Sequence, residues 1–151
     1  MLEALKQAKN AYALDEVPVG AVITYNKQVI AKAHNQVETL KDPTAHAEMI
    51  AITQAANFLS SKWLHECAIY VTLEPCSMCA GALVLARIKR IVYGADDPKS
   101  GACGSVLNIV VNQGLNHSVD VQKGVLDMEC GLLLTEFFDQ KRQFLKKNRL
   151  N

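Results

Sequence analysis

The stretch Cys67-Ala-Ile-Tyr-Val-Thr-Leu73, continued by Glu74-Pro-Cys-Ser-Met-Cys79, organises this chain. Its first half is a short apolar and β-branched run, the pattern of a buried strand. Pro75 lacks an amide hydrogen and suits the first turn of a helix, which continues through Ala80, Ala82, Leu83 and Leu85. Cys76 and Cys79 then stand one helical turn apart on one side, where two thiolates can reach one metal. A strand that hands a C-x-x-C pair to a helix N-terminus points to an α/β fold.

Upstream, Pro43-Thr44-Ala45-His46-Ala47-Glu48 reads as a second helix start. Thr44 is the expected N-cap, and Met49, Ile50, Ile52 and Ala56 give a mixed apolar face as far as about Phe58. His46 supplies a third ligand from a separate segment, so the site needs tertiary folding. A catalytic zinc usually takes three protein ligands and leaves its fourth tetrahedral position to water, and His46, Cys76 and Cys79 make up that number. Glu48 lies beside the group without belonging to it, as a general acid and base should. Two helix N-termini aimed at the metal would favour thiolate over thiol. A closed structural zinc site would need a fourth ligand from Cys67, Cys103, His34 or His65, none of which sits in a second paired-ligand motif. A redox C-x-x-C pair would leave Glu48 without a purpose. His34, His65 and His117 have no partners at metal-ligand spacing and default to structural or surface roles.

Periodicity extends the pattern in both directions. Residues 2 to 14 form an amphipathic helix, and Val17 to Tyr25 and Gln28 to Asn35 form two strands joined at Asn26-Lys27. After the cysteine helix, Ile88 to Gly94 is a strand, Asp96 to Gly104 a glycine-rich loop, and Val119 to Val121 a short strand. Met128 to about Lys147 is the closing helix, with Cys130, Leu133, Leu134, Phe137 and Phe138 on its apolar side. The alternation implies a mixed sheet covered by helices on both faces.

Composition fits one domain over residues 1 to 151, half of them apolar, with no linker, repeat or low-complexity run. The first residues lack the apolar core of a signal peptide, and no stretch is long enough to span a membrane. Five cysteines, an odd number with two assigned to zinc, argue for a reducing cytoplasm, with Cys67 and Cys130 as buried thiols. A net charge of +1 does not announce a nucleic-acid partner. The tail from Lys141 to Asn151 does concentrate Lys141, Arg142, Lys146, Lys147 and Arg149 without an acidic residue. It reads either as a contact for RNA phosphates or as a solvated helix end whose cations complement the dipole. Phe137 and Phe138 read as core residues, either of which could border an RNA cleft.

Beyond the metal fragments, the chain reads Glu16-Val-Pro-Val-Gly-Ala-Val22, Asp42-Pro-Thr-Ala-His-Ala-Glu48, Thr72-Leu-Glu-Pro-Cys-Ser-Met-Cys-Ala-Gly-Ala82, Arg87-Ile88, Val92-Tyr-Gly-Ala95 and Asn116-His117. Over nearly its whole length it resembles the bacterial tRNA adenosine deaminases, a branch of the cytidine deaminase-like superfamily, which shares the zinc fragments. The resemblance implies a three-layer α/β/α fold with a mixed five-stranded sheet, one zinc ion per subunit and a homodimer. It also implies conversion of the wobble adenosine of an arginine tRNA anticodon stem-loop to inosine. On this resemblance Asn35 contacts the target base, the Ala47 amide hydrogen-bonds its ring, and Asp97 meets a neighbouring ribose. Val19 is expected in the apolar pocket wall and Lys99 within reach of phosphate. Asn35, Val19, Asp97 and Lys99 also have plain readings as turn, core, loop and surface residues. A free-base or nucleotide deaminase acting on guanine, cytosine or a cytidine nucleotide would use the same chemistry. A non-catalytic RNA-binding subunit is disfavoured by the presence of Glu48.

Overall fold

The structure is a computed structural model that describes residues 1–149. The end of the basic tail, Leu150, Asn151 and the Arg149 side chain, lies outside the described residues. The chain runs α1 (Leu2–Ala13), β1 (Gly20–Tyr25), β2 (Gln28–His34), α2 (Val37–Leu40), α3 (Ala47–Leu59), β3 (Cys67–Leu73), α4 (Ser77–Leu85), β4 (Arg90–Ala95), β5 (Asp120–Gln122) and α5 (Asp127–Arg149). The strands form one five-stranded sheet in the order β2-β1-β3-β4-β5. β1 pairs antiparallel with both β2 and β3, whereas β4 pairs parallel with β3 and with β5. The sheet is therefore mixed, as the residue pattern implies.

Local chemistry explains the ends of these elements. The β1–β2 turn places both Asn26 and Lys27 at positive φ, 48° and 63°, the backbone of a tight hairpin turn that matches strand twist. β1 starts at Gly20 and not at Val17, because Pro18 has no amide to donate and the Val19 amide turns back to the Val17 carbonyl at 2.8 Å. Thr44 is not the cap of α3. Its amide and hydroxyl both bond Asp42 Oδ1, at 2.8 and 2.7 Å, in a turn before the helix. His46 is the N-cap instead, in extended geometry at φ −74° and ψ 151°. Pro75 likewise precedes its helix, and Cys76 is the N-cap of α4.

Helices α1 and α5 pack on one face of the sheet, α3 and α4 on the other. Ala4, Ala8 and Ala11 let α1 lie directly on β1, where a Cβ at Gly20 would overlap the backbone of Ala4 and Ala8. Ile23, Ile69, Val71 and Ile91 are fully buried in the central strands. α4 is the crossover between the parallel pair β3 and β4, so its N-terminus meets the carboxyl end of β3. In open α/β sheets that edge is where ligands bind. Among the described residues no helix is long and apolar enough to cross a membrane.

Candidate active site

His46 and Cys76 both occupy helix N-caps, yet neither side chain caps its helix. Both turn toward a common point. His46 Nδ1 lies 3.7 Å from Cys76 Sγ and 3.6 Å from Cys79 Sγ. The three ligand atoms all fall within 4.8 Å of one another, a group able to hold a metal ion. The first-turn amides of α3 and α4 have no intrahelical acceptors and carry the positive ends of their dipoles toward this point. Cys76 and Cys79 behave as a coupled acid pair. A hydrogen bond from Cys79 holds the Cys76 thiol down at about 4, and the same bond pushes Cys79 up. One thiolate forms readily at neutral pH, and a divalent cation would draw the proton from the other.

Glu48, in the first turn of α3, is 3% exposed. Its Oε2 is buried and has no hydrogen-bond partner among the described residues. Burial pushes its carboxyl up to about 7, and a cation at the His46–Cys76–Cys79 group would pull it back down. A buried carboxylate with an unpaired oxygen costs stability unless a function holds it there.

His46, Glu48 and Cys76 line a cavity of about 730 Å³. Val19, Asn35 and Val37 form one wall, and Asp97, Pro98, Lys99 and Ser100 another. Asn35 is only 6% exposed, and its amide bonds the Val19 carbonyl at 3.0 Å, which joins two expected pocket residues. The Asp97 carboxylate accepts from the Lys99 amide at 2.9 Å, the Ser100 amide at 3.2 Å and the Ser100 hydroxyl at 2.6 Å, so it shapes its own loop. Lys99 is exposed at the cavity edge. Ala47 is fully buried and is not one of the residues that line the cavity.

Two lining residues, quoted in the sequence analysis, carry no role there. Glu16 and Glu74 are buried carboxylates at the cavity walls, with nothing in their neighbours to mark them. Phe138, read as core or as the border of a cleft, is 43% exposed and lines the cavity with Leu134 and Arg142, while its neighbour Phe137 is buried against Tyr12. Two adjacent aromatics on a helix point about 100° apart, so they can take different surroundings, but the spacing does not say which of them faces inward. Two cations of the basic tail are already paired, Lys141 with Asp15 and Arg142 with Asp139. His117 has a structural role, its Nε2 lying 2.7 Å from the Ile88 carbonyl.

Fold and site together are those of a cytidine deaminase-like deaminase. A family model of MafB19-like deaminases matches residues 1–142. The tRNA-specific adenosine deaminase of Bacillus subtilis (strain 168) is 46% identical over 151 residues, 100% of this chain and 94% of that protein. The tRNA-specific adenosine deaminase of Aquifex aeolicus (strain VF5) is 51% identical over 139 residues, 92% of this chain and 91% of that protein. A solved structure from studies of A-to-I editing by tRNA:A34 deaminases at the wobble position of transfer RNA aligns with a TM-score of 0.86 and 42% identity, covering 89% of this chain and 97% of its own. The chain belongs to the MafB19-like deaminases and, among them, to the tRNA-specific adenosine deaminases.

Proposed function

We propose that this protein is a zinc-dependent hydrolase that converts adenosine to inosine at the wobble position of an arginine tRNA anticodon. The observation that carries the reading is a buried glutamate with an unpartnered oxygen beside a His/Cys/Cys group at the floor of one cavity. Full-length likeness to tRNA-specific adenosine deaminases supports the substrate. The donor set supports zinc. Bonds of about 2.3 Å to sulfur and 2.0–2.1 Å to nitrogen at tetrahedral angles separate N from S by about 3.6 Å, which the 3.7 and 3.6 Å separations match.

His46, Cys76 and Cys79 would hold the ion. Bound there, zinc would supply Lewis acidity that lowers the pKa of water to about 7. Glu48 accepts a proton from the attacking water and delivers it to N1 of adenine as C6 takes up the oxygen. It then takes the second proton from the hydroxyl now on C6 and passes it to the amine, which leaves as ammonia while the C6 carbonyl forms. Adenosine and water become inosine and ammonia, and the carboxylate is regenerated. Asn35 and the Ala47 amide orient the base, and Val19 packs against it. Asp97 meets the adjoining ribose and Lys99 a phosphate. An adenine in a duplex hides C6 within the stack, whereas a wobble base in a loop turns outward easily, which favours an anticodon stem-loop partner.

The protein acts in this reading in the cytoplasm as a homodimer of one-domain subunits. Support for self-association comes from α4, which carries no charged residue and leaves Met78, Gly81, Ala82 and Leu85 on one partly exposed stripe. A two-fold contact there would desolvate no charge. The deciding experiment incubates zinc-loaded protein with an arginine anticodon stem-loop carrying a wobble adenosine, in parallel with adenosine, guanine, cytosine and cytidine, and measures inosine and ammonia. Inosine from the stem-loop alone is the expected result. Turnover of a free base with none of the RNA would keep the chemistry and overturn the substrate.

A further inference from the structure

Glu74 is 2% exposed and accepts four hydrogen bonds from one loop. Its Oε1 takes the Cys103 and Ser105 amides, each at 3.0 Å. Its Oε2 takes the Asp97 amide at 2.9 Å and the Ser105 hydroxyl. Among the described residues no lysine or arginine forms a salt bridge with it, so backbone dipoles and one hydroxyl neutralise the buried charge. Gly101 lets the loop come this close, since a Cβ there would overlap the Glu74 carboxylate.

The loop is also stitched to the segment that carries the sulfur ligands. The Ala102 amide bonds the Pro75 carbonyl at 2.8 Å, and Cys76 pairs with Gly101 in an isolated bridge. Asp97, held at its amide by Glu74, in turn closes the turn through Lys99 and Ser100 with its own carboxylate. All three residues line the cavity. Glu74 thus joins the turn that bears Cys76 to the loop that carries Asp97, Lys99 and Ser100, with its oxygens fully engaged by that loop.

We infer that Glu74 is a positioning residue for the proposed deamination, pinning loop 96–105 to the turn that bears Cys76 and so fixing one wall of the substrate cleft. This inference rests on the deaminase reading above. Only a carboxylate accepts on both sides. A glutamine must turn its NH2 toward one pair of donors, and the Asp97 side costs least, because the Ser105 hydroxyl can reverse while the Asp97 amide is left facing a donor. The loosened wall contacts substrate and transition state alike, so its loss weakens binding more than chemistry.

The test compares wild type, Glu74→Gln and Ser105→Ala, all zinc-loaded, in steady-state kinetics on the stem-loop and in amide hydrogen exchange. For Glu74→Gln the expected result is a KM raised about tenfold with kcat within about twofold. Exchange should quicken at Asp97, Cys103 and Ser105 while α3 stays protected. Ser105→Ala, which removes one donor and leaves the carboxylate, should shift KM the same way by less. An unchanged KM in both variants would overturn the inference, as would a fall in kcat that only tracks the folded fraction. If wild type makes no inosine, the proposed function fails. Exchange then decides Glu74 separately: unchanged protection at the three amides overturns the clamp, and loss confined to them upholds it.

Discussion

Glu48 and Glu74 stand close to the same metal-binding group, both almost fully buried, and they are treated in opposite ways. Glu74, at the carboxyl end of β3, faces a loop whose amides converge on it, and both oxygens are saturated. Glu48, in the first turn of α3, keeps Oε2 without a partner. Glu16 sides with Glu74. It is fully buried, and it accepts the Glu38 amide at 3.0 Å and the Thr39 amide at the start of α2. Burial by itself does not distinguish a working carboxylate from a structural one. Hydrogen-bond satisfaction does, because donors on both oxygens favour the ionised form and make it a poor proton acceptor, while an unsatisfied oxygen is kept at a cost in stability.

The contrast can be broken most directly at Glu48. Glu48→Ala should lower stem-loop turnover by a factor on the order of 10²–10⁴ while elemental analysis finds zinc retained. Retained turnover would remove Glu48 from the mechanism. Cys76→Ala separates the metal from both carboxylates. It should cost more metal affinity than the roughly 10–100-fold lost with an outer partner, measured by chelator competition, and full zinc occupancy would count against ligation.

Glu16 sharpens the other side of the comparison through pH. Burial alone would raise its carboxyl, but hydrogen bonds from Glu38 and Thr39 offset this and hold it below the usual range. A folded value below the unfolded one means that the stabilisation is complete above the ordinary carboxylate range and is lost as pH falls through the folded value. Glu16→Gln should therefore cost about 1–3 kcal/mol near neutral pH, with the difference from wild type shrinking in acid. Denaturant unfolding at both pH values reads it, and an equal cost at both would show that the charge is not what α2 needs. The smallest effects belong to the exposed Lys146 and Lys147. Each change to alanine should reduce the salt slope of stem-loop binding by about 1 if the tail meets phosphate. A titration of affinity against salt with no change in slope would release the tail from that role.

How legible these features were followed from the distance between partners. Asn26-Lys27 and the alternating runs around it announce a hairpin because turn and strands are neighbours in sequence. Thr44 misleads because Asp42, two residues away, accepts its amide and hydroxyl in a turn that closes before the helix begins. α2 has four residues, too few to show a period. Phe137 and Phe138 look equivalent until packing against Tyr12 selects one of them for the interior.

Residue types and local spacing alone pointed to His46, Cys76 and Cys79 as a group able to hold a metal, to Glu48 beside it and to the strand–helix order around them. Those features depend on residue chemistry and on the spacing within each fragment, which a linear pattern carries intact, whereas the approach of His46 to Cys76 and Cys79, 30 and 33 residues away, came with the fold. Only the tertiary structure decided which buried carboxylates are engaged. Glu16 meets donors 22 and 23 residues away, and Glu74 meets donors 23, 29 and 31 residues away, on segments that become neighbours only when the sheet and its loops close. It also decided that α5 presents Phe138 and Arg142 to the cavity, because the facing of a helix is set by what it packs against.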